Sequence, residues 1–84
     1  MEINFDNLIK NGFKVYLEDK EMNFQYLKKD IERWSFNANF RDNKLSEFCL
    51  EADGGYDYSG DFDLSHFKHI DQITKLENAL LGNL

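Results

Sequence analysis

The chain has 84 residues, sixteen acids against ten bases for a formal net charge of −6, one cysteine and no proline. That length supports a single domain over residues 1–84 with one core, and eight Phe, four Tyr and one Trp supply the apolar area a chain this short needs. The lone Cys49 excludes an internal disulfide framework, the start Met1-Glu2-Ile3-Asn4 lacks the basic and apolar regions of a signal peptide, and no apolar run nears the roughly 20 residues that span a bilayer, so a cytoplasmic protein without a membrane partner is expected.

Phe5, Leu8 and Ile9 at helical spacing, between the N-cap residue Asn4 and Gly12, predict a short helix over residues 4–11. From Phe13 the period becomes two, and Phe13, Val15 and Leu17 against Lys14, Tyr16 and Glu18 predict a half-buried strand. Residues 21–34 fit two periods. Met22, Phe24 and Tyr26 alternate as in a strand, while Phe24, Leu27, Ile31 and Trp34 share one helical face. A strand is preferred because Trp34, Phe36, Ala38 and Phe40 continue the alternation, with Lys28, Lys29 and Asp30 as a polar turn between two hairpin strands.

Arg41-Asp42-Asn43-Lys44 reads as a turn, followed by Phe48, Leu50 and Ala52 alternating with Glu47, Cys49, Glu51 and Asp53. Asp53-Gly54-Gly55 is the strongest turn signal of the chain. Tyr56, Tyr58, Phe62 and Leu64 then take one face and Asp57, Ser59, Asp61 and Asp63 the other, with Gly60 marking a bulge. From the N-cap candidate Ser65, the stripe Phe67, Ile70, Ile73, Leu76 and Leu80 predicts an amphipathic helix with an Asp71–Lys75 pair, stopped at Gly82. The expected fold is α+β: an antiparallel meander of four to five strands, a short N-terminal helix, and a C-terminal helix packed on one face while the other stays wet.

Charge is distributed unevenly over this frame. Between Lys44 and Lys68 there is no Lys or Arg, but Glu47, Glu51, Asp53, Asp57, Asp61 and Asp63 all fall there, and outside that stretch acids and bases balance. If the hairpin forms, all six carboxylates share one surface, with neighbours along a strand about 6.5–7 Å apart and strands about 4.8 Å apart. Asp is depleted in strands and facing like charges weaken a ladder, so the pattern breaks a local rule in the way functional surfaces do. Its competing reading is a solvated face that keeps the protein soluble and its edges apart. Tyr56 or Tyr58, if exposed, is a candidate aromatic anchor beside the six acids, with Tyr58 counted in the candidate site and core packing the competing reading for both.

Other chemistry is weakly signalled. No register of the Asp/Gly run places Gly and Glu where an EF-hand loop needs them. His66 and His69, with Asp63 and Cys49, fall short of a zinc pattern. Acids flanking Cys49 raise its pKa and disfavour a nucleophile, and no phosphate loop or catalytic pair is present. No catalytic residue, metal or cofactor is therefore expected, and direct nucleic-acid binding is disfavoured because Lys28-Lys29 is the only basic doublet.

Nine Asn, eight Lys and eight Phe against three Ala and two Arg lean toward A/T-rich codons, pointing to a bacterial or phage genome. In size, acidity and α+β layout the whole chain resembles the small acidic inhibitors that phages deploy against nucleic-acid enzymes, anti-CRISPR and DNA-mimic proteins among them. No motif carries that resemblance. It implies a non-enzymatic protein acting in the bacterial cytoplasm, whose partner is a basic nucleic-acid-binding enzyme or effector complex. The alternative is an immunity-like or accessory module that binds a protein partner through a packed apolar surface.

Overall fold

A computed structural model describes residues 1–53 and 59–82. The elements run α1 (Phe5–Lys10), β1 (Lys14–Asp19), β2 (Phe24–Ile31), β3 (Trp34–Arg41), β4 (Lys44–Asp53), β5 (Ser59–Asp63) and α2 (Ile70–Leu80). The five strands form one antiparallel sheet in sequence order, so the expected α+β meander with a helix at each end is the observed fold.

Helix α1 is short because both ends are firmly capped. The Asn4 side chain accepts from the Asn7 N–H at 2.8 Å. At the other end the Gly12 N–H bonds to the Ile9 carbonyl and the Phe13 N–H to the Leu8 carbonyl, a double closure that requires the left-handed Gly12 (φ 95°). Leu8 and Phe13, joined by that closure, are both buried.

The core is built from one face of the sheet. Leu27 and Ile31 of β2, Phe36, Ala38 and Phe40 of β3, and Phe48 and Leu50 of β4 meet Leu8, Phe13, Leu64, Ile70 and Ile73, with Trp34, Phe67, Leu76 and Leu80 at the margin. Register places Trp34 opposite Ala52, Phe36 opposite Leu50 and Ala38 opposite Phe48, which is the period-two pattern of the sequence realised in pairs. Both helices cover this face, and the opposite face is uncovered.

Four local expectations are corrected. Strand β1 is exposed along its whole length: a β-bulge between Val15 and Leu17 reverses the alternation, so Val15 pairs with Leu27 on the covered face while Leu17 pairs with Tyr26 on the open one. Residues Lys28 to Asp30 are not a turn. They continue β2, and the turn is Glu32-Arg33 between paired Ile31 and Trp34, with Glu32 left-handed at φ 56°. Lys29 fits inside a strand because its ammonium finds the Asn11 carbonyl at 2.6 Å and Glu77 at 2.8 Å.

Gly60 pairs with Ala52 without a register shift, so it is no bulge; the bulge of this region lies between Asn39 and Phe40, where Ser46 is the extra residue on β4 and donates its hydroxyl to the Asn39 carbonyl at 3.1 Å. Finally, α2 begins at Ile70 and not near Ser65. Ser65 is engaged by Asp63, and residues 68–70 pair with the N-terminal segment through Ile3 N–H to Lys68 O (3.1 Å) and Ile70 N–H to Met1 O (2.8 Å). The Asp42-Asn43 turn is as expected: both residues are left-handed (φ 52° and 66°), which Asp and Asn tolerate, and the two-residue connection matches the strand twist. No helix among the described residues is long and apolar enough to cross a membrane.

Candidate functional site on the open sheet face

On the open face, alternation and register bring together Asn37 and Asn39 of β3, Glu47, Cys49 and Glu51 of β4, and Asp61 and Asp63 of β5. Asn39 stands opposite Glu47, Asn37 opposite Cys49, Glu51 opposite Asp61 and Cys49 opposite Asp63. Four of the six expected carboxylates, Glu47, Glu51, Asp61 and Asp63, thus occupy one face. Asp53 stands in β4 but its side chain, together with Asp57, Tyr58 and the Gly54-Gly55 turn, lies outside the described residues.

Two of the carboxylates are held by carboxamides. Asn37, only 6% exposed, donates Nδ2–H to Glu51 Oε2 at 3.0 Å, and Asn39 donates Nδ2–H to Glu47 Oε2 at 3.1 Å. Asn37 Oδ1 lies 3.4 Å from Ser35 Oγ, whose single proton goes to the shorter and charged contact with Asp30 at 2.9 Å. Asn39 Oδ1 is buried without a hydrogen-bond partner. With Tyr26 and Cys49 these groups line a shallow depression of about 180 Å³ that also includes Asp61 and contains no Lys or Arg. Among the described residues the one ion pair within 4.0 Å is Lys29–Glu77, on the other side of the sheet; the carboxylates of the open face have no partner at that distance, while Lys28, opposite Asn37, and Arg33 border a depression together with Glu51.

The electrostatic consequences reach the neighbouring side chains. Burial, and then the charge of Glu51, push the Tyr26 phenol above its ordinary pKa. Burial pushes the Cys49 thiol up, the contact with Asn37 opposes it, and Asp61, Glu47 and Glu51 add smaller upward effects, so it is a poor nucleophile. Asp63 is different in kind. Ser65 donates both its N–H (2.9 Å) and its hydroxyl (3.0 Å) to this carboxylate, which lowers its pKa and makes Asp63 first of all the brace of the turn leaving β5.

His66 borders a groove with Asp63, and His69 borders one with Glu47. His66 packs edge-on against Phe67 with ring centroids 4.9 Å apart, and His69 is the N-cap of α2. Among the described residues no three His, Cys, Asp or Glu side chains gather into a metal-binding group. A second surface feature is apolar: Trp34, Leu50, Phe62, Leu64, Phe67, Leu76 and Leu80 border a groove of about 450 Å³ between β5 and α2, with Phe62 exposed in it.

The roles of Asn37 and Asn39 were not singled out in the sequence, although a signal exists: two Asn alternate with Phe36, Ala38 and Phe40 in a strand, where Asn is normally depleted. Comparison with known proteins finds no matching family profile, no matching curated protein and no matching solved structure.

Proposed function

We propose that this protein binds and inhibits a nucleic-acid-handling enzyme, laying the carboxylates of its open sheet face into a basic groove that otherwise takes phosphates. The observation carrying this reading is the set Glu47, Glu51 and Asp61: on one sheet face, none in an ion pair within 4.0 Å among the described residues, and in two cases oriented by Asn37 and Asn39. Charges held in place before binding lose little conformational entropy on docking, and a predominantly negative field over β4 and β5 steers a basic partner toward them. Inhibition of this kind works by occupancy and needs no catalytic residue. It fits a counter-defence protein of anti-CRISPR type acting in the cytoplasm of a bacterial host, with Asp53, Asp57 and Tyr58 extending the contact.

A second reading is favoured by the groove of Trp34, Phe62 and Leu76, which suits an immunity-like or accessory module seated on an apolar partner surface. Salt and substitution separate the two. Raising salt from about 0.1 M to 1 M shortens the screening length from about 10 Å to about 3 Å, which weakens a charge-led contact steeply and an apolar one hardly at all. Affinity capture from a bacterial lysate at both salts, with the wild type and with Glu47→Gln/Glu51→Gln/Asp61→Asn, is expected to yield a basic nucleic-acid enzyme that is lost at high salt and lost with the triple variant. Wild-type protein should inhibit that enzyme on its nucleic acid. A salt-resistant partner kept by the triple variant and lost with Phe62→Ser would replace the first reading with the second.

A further inference from the structure

The two edges of the sheet are unlike. The β5 edge carries Asp61 and Asp63, so two such edges repel. The β1 edge carries Val15, Tyr16 and Leu17, which are 45%, 71% and 57% exposed, and among the described residues no strand covers its outer side. Three consecutive exposed apolar residues contribute little to the core, and the bulge between Val15 and Leu17 is what turns Leu17 away from it. Around this apolar centre the strand is charged with opposite signs at its two ends: Lys14 begins it, and Glu18 and Asp19 finish it.

That arrangement is self-complementary. When two copies of the strand run antiparallel about a two-fold axis between Tyr16 and Leu17, Lys14 of each copy comes opposite Asp19 of the other, and the register of β1 places both residues on the open face. Tyr16 of each copy then meets Leu17 of the other at the centre. A shift of one residue would set Lys14 opposite Glu18, which pairs with Gln25 on the covered face, so the match of sign selects the Lys14–Asp19 register. We propose that the outer edge of β1 is a self-association surface whose occupant is a second copy of this chain, joined edge to edge through the Lys14–Asp19 segment.

The geometry has a consequence for the whole assembly. A two-fold axis perpendicular to the sheet continues five strands into ten and leaves both open faces on the same side, so the carboxylate surfaces of two copies form one doubled field. The proposal itself does not depend on what that field binds. The contact is short, and a bulge twists an edge away from extended pairing, so association is weak, with a Kd on the order of 0.1 mM.

Sedimentation of the purified chain from about 10 µM to about 1 mM tests this. The expected result is a mass rising from monomer to dimer with concentration. Leu17→Lys, at an exposed position, should weaken association at least about tenfold with an unchanged melting temperature, and Lys14→Glu should weaken it about tenfold because it sets acid against acid. Asp19→Asn, which keeps the side-chain oxygen that accepts from the Glu21 and Met22 N–H groups and removes only the charge, should weaken it about threefold to tenfold. Lys68→Glu, which changes net charge by the same amount away from β1, should leave association unaltered. A monomer at every concentration overturns the proposal and leaves the edge to a strand of some other protein. A dimer indifferent to Leu17→Lys and Lys14→Glu, or one weakened equally by Lys68→Glu, also overturns it.

Discussion

On the covered face of the sheet, Lys29 lies beside the core, and its ammonium is met by the Asn11 carbonyl at 2.6 Å and by Glu77 at 2.8 Å; on the open face, Glu47 and Glu51 are met by carboxamides at 3.1 and 3.0 Å and, among the described residues, by no cation. The Lys29 and Glu77 side chains are only 21% and 16% exposed, so neither charge keeps much of its hydration, and pairing is a condition of folding there. The carboxylates of the open face remain hydrated and can stay unpaired at small cost. Charge on the first face is consumed by the fold, whereas charge on the second remains available to a partner.

Substitutions that break this contrast should fall in a clear order. Truncating the core beneath both faces has the largest effect: Phe36→Ala or Phe48→Ala should lower stability by about 3–5 kcal/mol, a large share of the roughly 5–15 kcal/mol of a small domain, as read by urea or thermal unfolding. Next comes the internal pair. Glu77→Leu leaves the Lys29 ammonium with a single carbonyl and should cost about 1–3 kcal/mol, while Lys29→Met/Glu77→Leu should return to within about 1 kcal/mol of the wild type, because an apolar pair of similar size needs no compensation. A double variant as unstable as the single one would show that Lys29 acts through packing of its stem.

On the open face the effects shrink. Asn37→Ala removes a buried amide bonded to Glu51 and should cost about 1–2 kcal/mol, whereas Asn39→Leu, which also removes a buried acceptor without a partner, should cost less than about 0.5 kcal/mol. Both should weaken partner binding by releasing a carboxylate. Glu51→Gln/Asp61→Asn, at directly facing positions, should leave stability unchanged or raise it by up to about 1 kcal/mol, a sign opposite to that at Lys29–Glu77. The same change should modestly speed alkylation of Cys49, whose raised pKa comes first from burial and in smaller part from these acids.

The smallest effect belongs to Asp63. Its folded pKa is depressed, so its contribution to stability is present above the ordinary carboxylate pKa of about 3.9 and is lost as pH falls through the depressed folded value. Comparing the acid unfolding of the wild type with that of Asp63→Asn should show this component missing in the variant, with a slightly lower melting temperature at neutral pH.

Much of this frame is legible in the chain itself. Asn4 and Gly12 bound the first helix, Asp42-Asn43 makes the tight turn, and Ile70, Ile73, Leu76 and Leu80 mark the helix face laid on the core. Each of these rests on neighbours within a few positions. The errors share the opposite character. Lys28 to Asp30 look like a turn until Glu77, 48 positions beyond Lys29, comes to meet it. Ser65 looks like a helix cap until Asp63 takes both of its donors, and the start of α2 is set by pairing with residues 1–3 at the far end of the chain.

By itself the sequence determined the sheet's two faces and the side on which acid accumulates, because side-chain direction along a strand repeats every two residues and is a local property. Only the tertiary structure decided where that repeat is broken and what each charge meets. The bulge that exposes Leu17, the carboxamides that orient Glu47 and Glu51, and the pairing of Lys29 with Glu77 all depend on contacts between separate strands and helices. Such contacts carry no periodic signature, since whether a polar side chain can stand inside a strand is settled by a partner that folding delivers from elsewhere in the chain.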